Sequence, residues 1–367
     1  MLLCRRAVWG QAAPGSEKVL TVGKEMLAAV LYGREQLRIE PVAIPSVGEG
    51  DLLVRVRVAL TCGTDVKVFR RGYHARMIVP PAVFGHELAG DVVAVGDAVT
   101  RFRVGQRVVA ANSAPCLRCY YCRHGVENLC EDLLFNNGAY AEYIRIPARI
   151  VELNTYEIPP HVGYHDAALV EPLACVLRGV EETGLRAGDS VVIVGLGPIG
   201  LMFVRLARNL GARVIAVGRR SNQLERAAAL GADELISAPA VKDPARVVRE
   251  LTGGRGADVA IEAVGKPETW ELVVQMVRRG GVVNFFGGCP SGTHVTLDTS
   301  LLHYSEITCK ASFHHTPAHV RRALDLISQG VVRASDFVNR EEPLTNLLAV
   351  MRHLMSHNGH LKTAIIP

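Results

Sequence analysis

Residues 190–211 read SVVIVGLGPIGLMFVRLARNLG, and this stretch decides the fold. Val191 to Val194 is a short, β-branched apolar run, the composition of a strand buried on both faces. Gly195, Gly197 and Gly200 follow in G-x-G-x-x-G spacing, with Pro198 and Ile199 between them, and an amphipathic helical pattern continues to Gly211. Strand before and helix after are the context that gives this spacing its meaning. Gly195 serves a tight turn, Gly197 lets backbone amides approach a pyrophosphate, and Gly200 permits close helix–strand packing. The helix start then offers unpaired N–H groups and the positive end of its dipole to phosphates.

Outward from this motif the rhythm continues as RVIAVGRR (213–220), SNQLERAAALG (221–231), ADELI (232–236), ADVAIEAVG (257–265) and GGVVNFFGG (280–288). Alternating strand and helix implies a parallel, doubly wound α/β sheet. At the end of the second strand, where a carboxylate commonly holds the ribose hydroxyls of NAD, the residue is Gly218, followed by Arg219 and Arg220. Loss of the carboxylate removes repulsion toward a 2′-phosphate, and arginines supply charge-assisted hydrogen bonds to one, which favours NADP over NAD. The plainer alternative has one arginine in solvent and the other stacked on adenine without discrimination.

Before this segment the pattern differs. From Met26 to about Ile150 the apolar runs are short and strand-like, as in Leu52 to Val58 and Asp91 to Val95, with Gly and Pro turns between them, so this half reads as antiparallel β. Residues 1–25 lack the order of a secretory signal and are expected to form a disordered extension. A chain of 367 residues exceeds the size of most single cores, so two domains are expected. The 41 Lys and Arg against 36 Asp and Glu are spread without a basic stripe, which argues against nucleic acid as a partner. No apolar run reaches the roughly 18 residues of a membrane span.

Cys116-x2-Cys119-x2-Cys122-x7-Cys130 concentrates four of the nine cysteines in one stretch. Four thiolates at this spacing can close a tetrahedral shell around zinc and leave no position for substrate, so the expected role is structural. Metal rather than a disulfide framework also points to a reducing, cytoplasmic setting. Cys62 in Thr-Cys-Gly-Thr-Asp, and His86 and Glu87 in Gly-His-Glu, stand at strand boundaries, and together with Glu171 in Glu-Pro-Leu they suggest a mixed S, N, O metal set with an exchangeable position.

The cysteine quartet, Gly-His-Glu, Glu-Pro-Leu and the glycine fingerprint, in this order, resemble the zinc-containing medium-chain dehydrogenase/reductases of the alcohol dehydrogenase superfamily, on the sorbitol (polyol) and threonine dehydrogenase side. The resemblance covers nearly all of residues 26–367. It implies a GroES-like β-rich catalytic domain over 26–177 and 313–367, with the structural zinc lobe near 112–132, interrupted by a Rossmann coenzyme domain over 178–312. It implies catalytic zinc ligands Cys62, His86, and Glu87 or Glu171, a proton-accepting hydroxyl on Thr64, and Asp65 orienting His86. Zinc would act as a Lewis acid on the substrate oxygen, with hydride passing to the nicotinamide ring. The expected substrate is a polyol, sugar or hydroxy amino acid, and the expected assembly a homotetramer or homodimer.

Many relatives carry a histidine three positions beyond the relay hydroxyl, whereas this chain has Lys67, which either relays protons or contacts coenzyme. Cys175 matches no ligand position and reads as a buried structural thiol. Tyr73, His74, Phe135, Asn136, His314 and His315 are pocket candidates, equally compatible with surface or packing roles. The competing functional readings are an NADPH-dependent aldehyde or ketone reductase and a non-catalytic coenzyme-binding sensor.

Overall fold

The computed structural model describes residues 23–74, 76–356 and 361–367, so the extension expected over 1–25 falls almost wholly outside the described residues. Its six-stranded sheet has the order Glu234–Ser237, Arg213–Gly218, Ser190–Val194, Ala257–Glu262, Val277–Phe285, Thr308–Ala311, with every pairing parallel. In sequence terms this is 3-2-1-4-5-6, which reverses between Ser190–Val194 and Ala257–Glu262, the crevice where doubly wound sheets bind their ligands. Both faces are covered. Val191 and Ile193 pack into one apolar cluster, while Val192 and Val194 pack into another on the opposite face, as the twofold repeat of a strand requires.

The β-rich half carries a sheet in the order Thr155–Glu157, Arg107–Ala110, Glu87–Val95, Leu52–Leu60, Lys362–Ile366, Val338–Pro343, and Tyr143–Ile146 also pairs with Leu52–Leu60. The last strand of the chain thus lies beside the third, with Ala364 opposite Leu60. Gln36–Ala43, Glu25–Gly33 and Ala82–Val83 form a smaller sheet.

The helix Val170–Glu181 connects the halves and packs closely on the glycine-loop helix Pro198–Asn209. Gly179 makes the approach possible, because a Cβ there would stand 2.7 Å from the Phe203 ring. Among the described residues no helix is long and apolar enough to cross a membrane.

Candidate active site and metal centres

Cys62 caps the helix Gly63–Arg71. Its sulfur accepts from the Thr64 N–H at 3.4 Å, and its own N–H donates to Asp65 Oδ2 at 3.0 Å, a reciprocal capping box. The sulfur therefore faces the exposed N–H groups of a helix start. Asp65 Oδ1 lies 3.0 Å from His86 Nδ1, and Asp65 Oδ2 also accepts from the Tyr140 hydroxyl at 2.6 Å. With Nδ1 engaged, Nε2 is the nitrogen left for a metal, the arrangement by which an outer carboxylate fixes a ligating imidazole. Burial alone would push the His86 pKa down, but the Asp65 carboxylate outweighs it and holds it well above the usual histidine range.

The ligand atoms of Cys62, His86 and Glu87 lie within 4.8 Å of one another and could hold a metal ion. Glu87 is buried, and both its oxygens lie 2.6 Å from Lys362 Nζ, which also donates to Thr61 O at 3.1 Å. Burial works against the ammonium, yet Glu87 keeps Lys362 above the ordinary lysine range. Glu171, in the first turn of Val170–Glu181, is buried as well, and burial raises its carboxyl. Cys175, expected as a buried structural thiol, lies on the same helix. It is half-buried, one helical turn beyond Glu171 with Sγ 3.9 Å from Glu171 Oε1, and both are grouped with His314.

The cysteine quartet closes as its spacing implies. Cys119 Sγ stands 3.5 Å from Cys122 Sγ and 3.9 Å from Cys130 Sγ, close to the roughly 3.8 Å that a tetrahedron with Zn–S bonds of about 2.3 Å demands. The backbone N–H groups of Cys116 and Cys119 donate to Cys130 and Cys116 sulfurs, compensating thiolate charge. Hydrogen bonding from the Arg118 N–H lowers the Cys116 thiol to about 6, whereas burial pushes Cys122 up to about 12.

At the other face of the crevice Gly195 has φ +97° and follows Ser190–Val194 directly. A Cβ on Gly200 would lie 1.7 Å from Gly195 O, while one on Gly197 would meet nothing within 4 Å, leaving open space over the loop. Pro198 starts the helix, and Gly197 provides no side-chain cap, so the first N–H groups remain available to an anion. Gly218 is buried against Leu196, whose Cδ1 would stand 2.7 Å from a Cβ at that position. Arg219 is exposed, and Arg220 heads the helix Ser221–Ala229.

The two faces meet through Lys67, whose Nζ donates to Gly288 O at 3.2 Å just beyond the strand Val277–Phe285. Of the pocket candidates, His314 adopts φ +66°, stands with Nε2 2.5 Å from Ser113 Oγ, and packs against Phe135 and His315. Burial lowers its pKa to about 3, so the ring is neutral. His315 contacts Asn112 Oδ1 at 3.4 Å. Asn136 instead donates to Arg145 O and ties down a loop, and Tyr73 is exposed. The His74 ring accepts from the Arg76 and Met77 N–H groups. Residues 112–113 meet 314–315 across 201 and 203 positions, which spacing alone does not reveal.

Comparison with known proteins agrees with this geometry. Residues 48–160 match the family model "Alcohol dehydrogenase GroES-like domain" and residues 198–329 match "Zinc-binding dehydrogenase". The chain is 31% identical over 355 residues to sorbitol dehydrogenase of Bacillus subtilis, covering 95% of this chain and 99% of that one. The chain belongs to the zinc-binding alcohol dehydrogenase family. The dehydrogenase is also 38% identical over 255 residues to L-threonine 3-dehydrogenase of Symbiobacterium thermophilum, covering 68% of this chain and 71% of the relative. Its fold matches that of a zinc-binding dehydrogenase from Sinorhizobium meliloti bound to NADP, with a TM-score of 0.85, 32% identity, and coverage of 94% and 100%. The GroES-like unit joined to a Rossmann sheet is therefore the architecture of this dehydrogenase.

Proposed function

We propose that this dehydrogenase transfers a hydride between a secondary alcohol carbon of a polyol, sugar or hydroxy amino acid and a nicotinamide coenzyme, with one zinc at the reacting site and one in the cysteine lobe. The observation that carries this reading is the Cys62, His86 and Glu87 set, with Asp65 behind the imidazole; the helix that follows Cys62 also brings Lys67 against Gly288, just beyond the strand Val277–Phe285 of the coenzyme sheet. Intact ligands and a formed crevice favour catalysis over a non-catalytic sensor.

When bound, zinc supplies a Lewis acid for the substrate oxygen and the coenzyme supplies the hydride acceptor. Cys62 contributes a sulfur held at a helix start, and His86 an imidazole whose orientation Asp65 and Tyr140 fix. Glu171 is the exchangeable carboxylate, since Lys362 grips both oxygens of Glu87. Thr64, half-exposed in the first turn after Cys62, takes the hydroxyl proton and passes it to water. Lys67 bridges the two faces of the crevice.

NADP is the coenzyme assigned in preference to NAD. Support comes from Gly218, where a carboxylate-bearing side chain would first run into Leu196, and from Arg219 and Arg220 beside it. The NADP held by the Sinorhizobium relative points the same way. The units we assign are 26–177 with 313–367, and 178–312; the return of Lys362–Ile366 to Leu52–Leu60 supports that division. A cytoplasmic homotetramer or homodimer completes the reading, consistent with cysteines that are unpaired among the described residues.

The test is nicotinamide absorbance across polyols, sugars and hydroxy amino acids, with zinc-loaded protein and each coenzyme. Turnover of one class with NADP supports the reading. Silence across the panel despite coenzyme binding contradicts it.

A further inference from the structure

Glu171, Cys175 and His314 each offer one ligand atom, and the three atoms lie within 4.8 Å of one another. Glu171 and Cys175 are four residues apart on Val170–Glu181, so both side chains leave the same helix face. His314 arrives from a separate segment between the strand Thr308–Ala311 and the helix Pro317–Ser328. Its left-handed backbone is uncommon for a residue with a Cβ, so the surrounding structure must hold it there. Ser113 Oγ at Nε2 and the rings of Phe135, Phe313 and His315 fix the imidazole plane. Neither Cys175 nor His314 has a part in the reaction proposed above.

We propose that Glu171, Cys175 and His314 form a second divalent-cation position beside the catalytic set, one that fills when a thiophilic cation is in excess. The proposal rests on the zinc-dehydrogenase reading, because Glu171 serves both positions. One thiolate, one imidazole and one carboxylate suit zinc or cadmium, whereas magnesium and calcium take oxygen ligands. Binding replaces the Cys175 S–H bond with a sulfur–metal bond and releases the proton to solvent, with no change of oxidation state. With Glu171 turned this way, Cys62, His86 and Glu87 remain for the first cation. A carboxylate can also bridge two cations about 3.5–4 Å apart.

The experiment is equilibrium dialysis of the full-length protein against cadmium, with bound metal counted by mass spectrometry. Wild type should hold three cadmium ions per chain, one for each ligand group, and Cys175→Ala and His314→Ala should each hold two. Unchanged circular dichroism establishes that the variants are folded, and Cys175→Ser repeats the test if alanine unfolds the chain. Two ions in wild type, or three retained in the folded variants, overturns the proposal. Failure of the underlying reading is read separately, because Cys62→Ser then removes no cadmium, whereas failure of the proposal alone leaves Cys62→Ser one ion short of wild type and Cys175→Ala equal to it.

Discussion

Asp65 Oδ1 stands 3.0 Å from His86 Nδ1, with both side chains buried. The same carboxylate accepts from the Cys62 N–H and the Tyr140 hydroxyl, so a single residue aligns two metal-ligand candidates. Asp65→Asn keeps the shape but leaves one acceptor oxygen, so the side facing His86 Nδ1 and the side facing Cys62 and Tyr140 cannot both be satisfied. Loss of such an outer partner typically costs 10–100-fold in metal affinity or activity. We expect Asp65→Asn to lower zinc affinity at the reacting site by about that factor, measured by competition with a chelator, while the cysteine lobe keeps its metal.

The Lys362–Glu87 pair is buried on both sides. Removing one member of such a pair leaves a buried charge without compensation, at a cost of about 3–5 kcal/mol. Lys362→Met should lower stability by that order in urea unfolding. Combining it with Glu87→Gln should recover part of the loss, because the stranded carboxylate is then gone. Equal destabilisation by the single and double variants would mean that packing of the lysine stem dominates.

Asp258 couples the starts of two adjacent parallel strands. It accepts from the Ser190 N–H at 2.8 Å and hydroxyl at 2.7 Å, and from Arg278 Nε at 2.6 Å. Burial opposes its ionisation, but these donors outweigh it and bring its pKa from 3.8 to about 2. A depressed carboxylate stabilises the fold above its unfolded pKa, and that contribution fades as pH falls from 3.8 toward about 2. Asp258→Asn should therefore cost about 2 kcal/mol near neutral pH. The difference from wild type should shrink with acidification through that window, read from unfolding midpoints across a pH series.

Gly218 bears on coenzyme choice. Aspartate there would set a carboxylate against a 2′-phosphate and push aside Leu196. Gly218→Asp combined with Arg219→Ala should lower kcat/KM with NADP at least tenfold relative to NAD. An unchanged ratio would mean that Arg219 and Gly218 do not contact the adenosine ribose.

The glycine fingerprint and the cysteine quartet were readable in the sequence because their chemistry lies within a few consecutive residues, where spacing alone fixes geometry. Cys62 and His86 were readable only through short motifs at strand boundaries, and Glu171 only through Glu-Pro-Leu in the first turn of a helix. Lys362 was not, since it meets Glu87 across 275 positions through the pairing of the last strand with Leu52–Leu60. Its one signal is a lysine opening the otherwise uncharged run Lys-Thr-Ala-Ile-Ile, buried on both faces. Tyr140 and Ser113 likewise acquire their roles from tertiary contact with Asp65 and His314. Glu262, at the end of a central parallel strand, reads as an interruption of an apolar run. In the fold its carboxylate accepts from the Val264 and Gly265 N–H groups and the Thr269 hydroxyl, which shapes the loop facing Gly195.

Turnover, coenzyme binding and metal content of Cys62→Ser, measured on one preparation, test the central claim most directly. Turnover should be abolished and one zinc per chain lost, while coenzyme binds as in wild type and the cysteine lobe keeps its zinc. Turnover at the wild-type rate by Cys62→Ser would contradict the assignment of the reacting site.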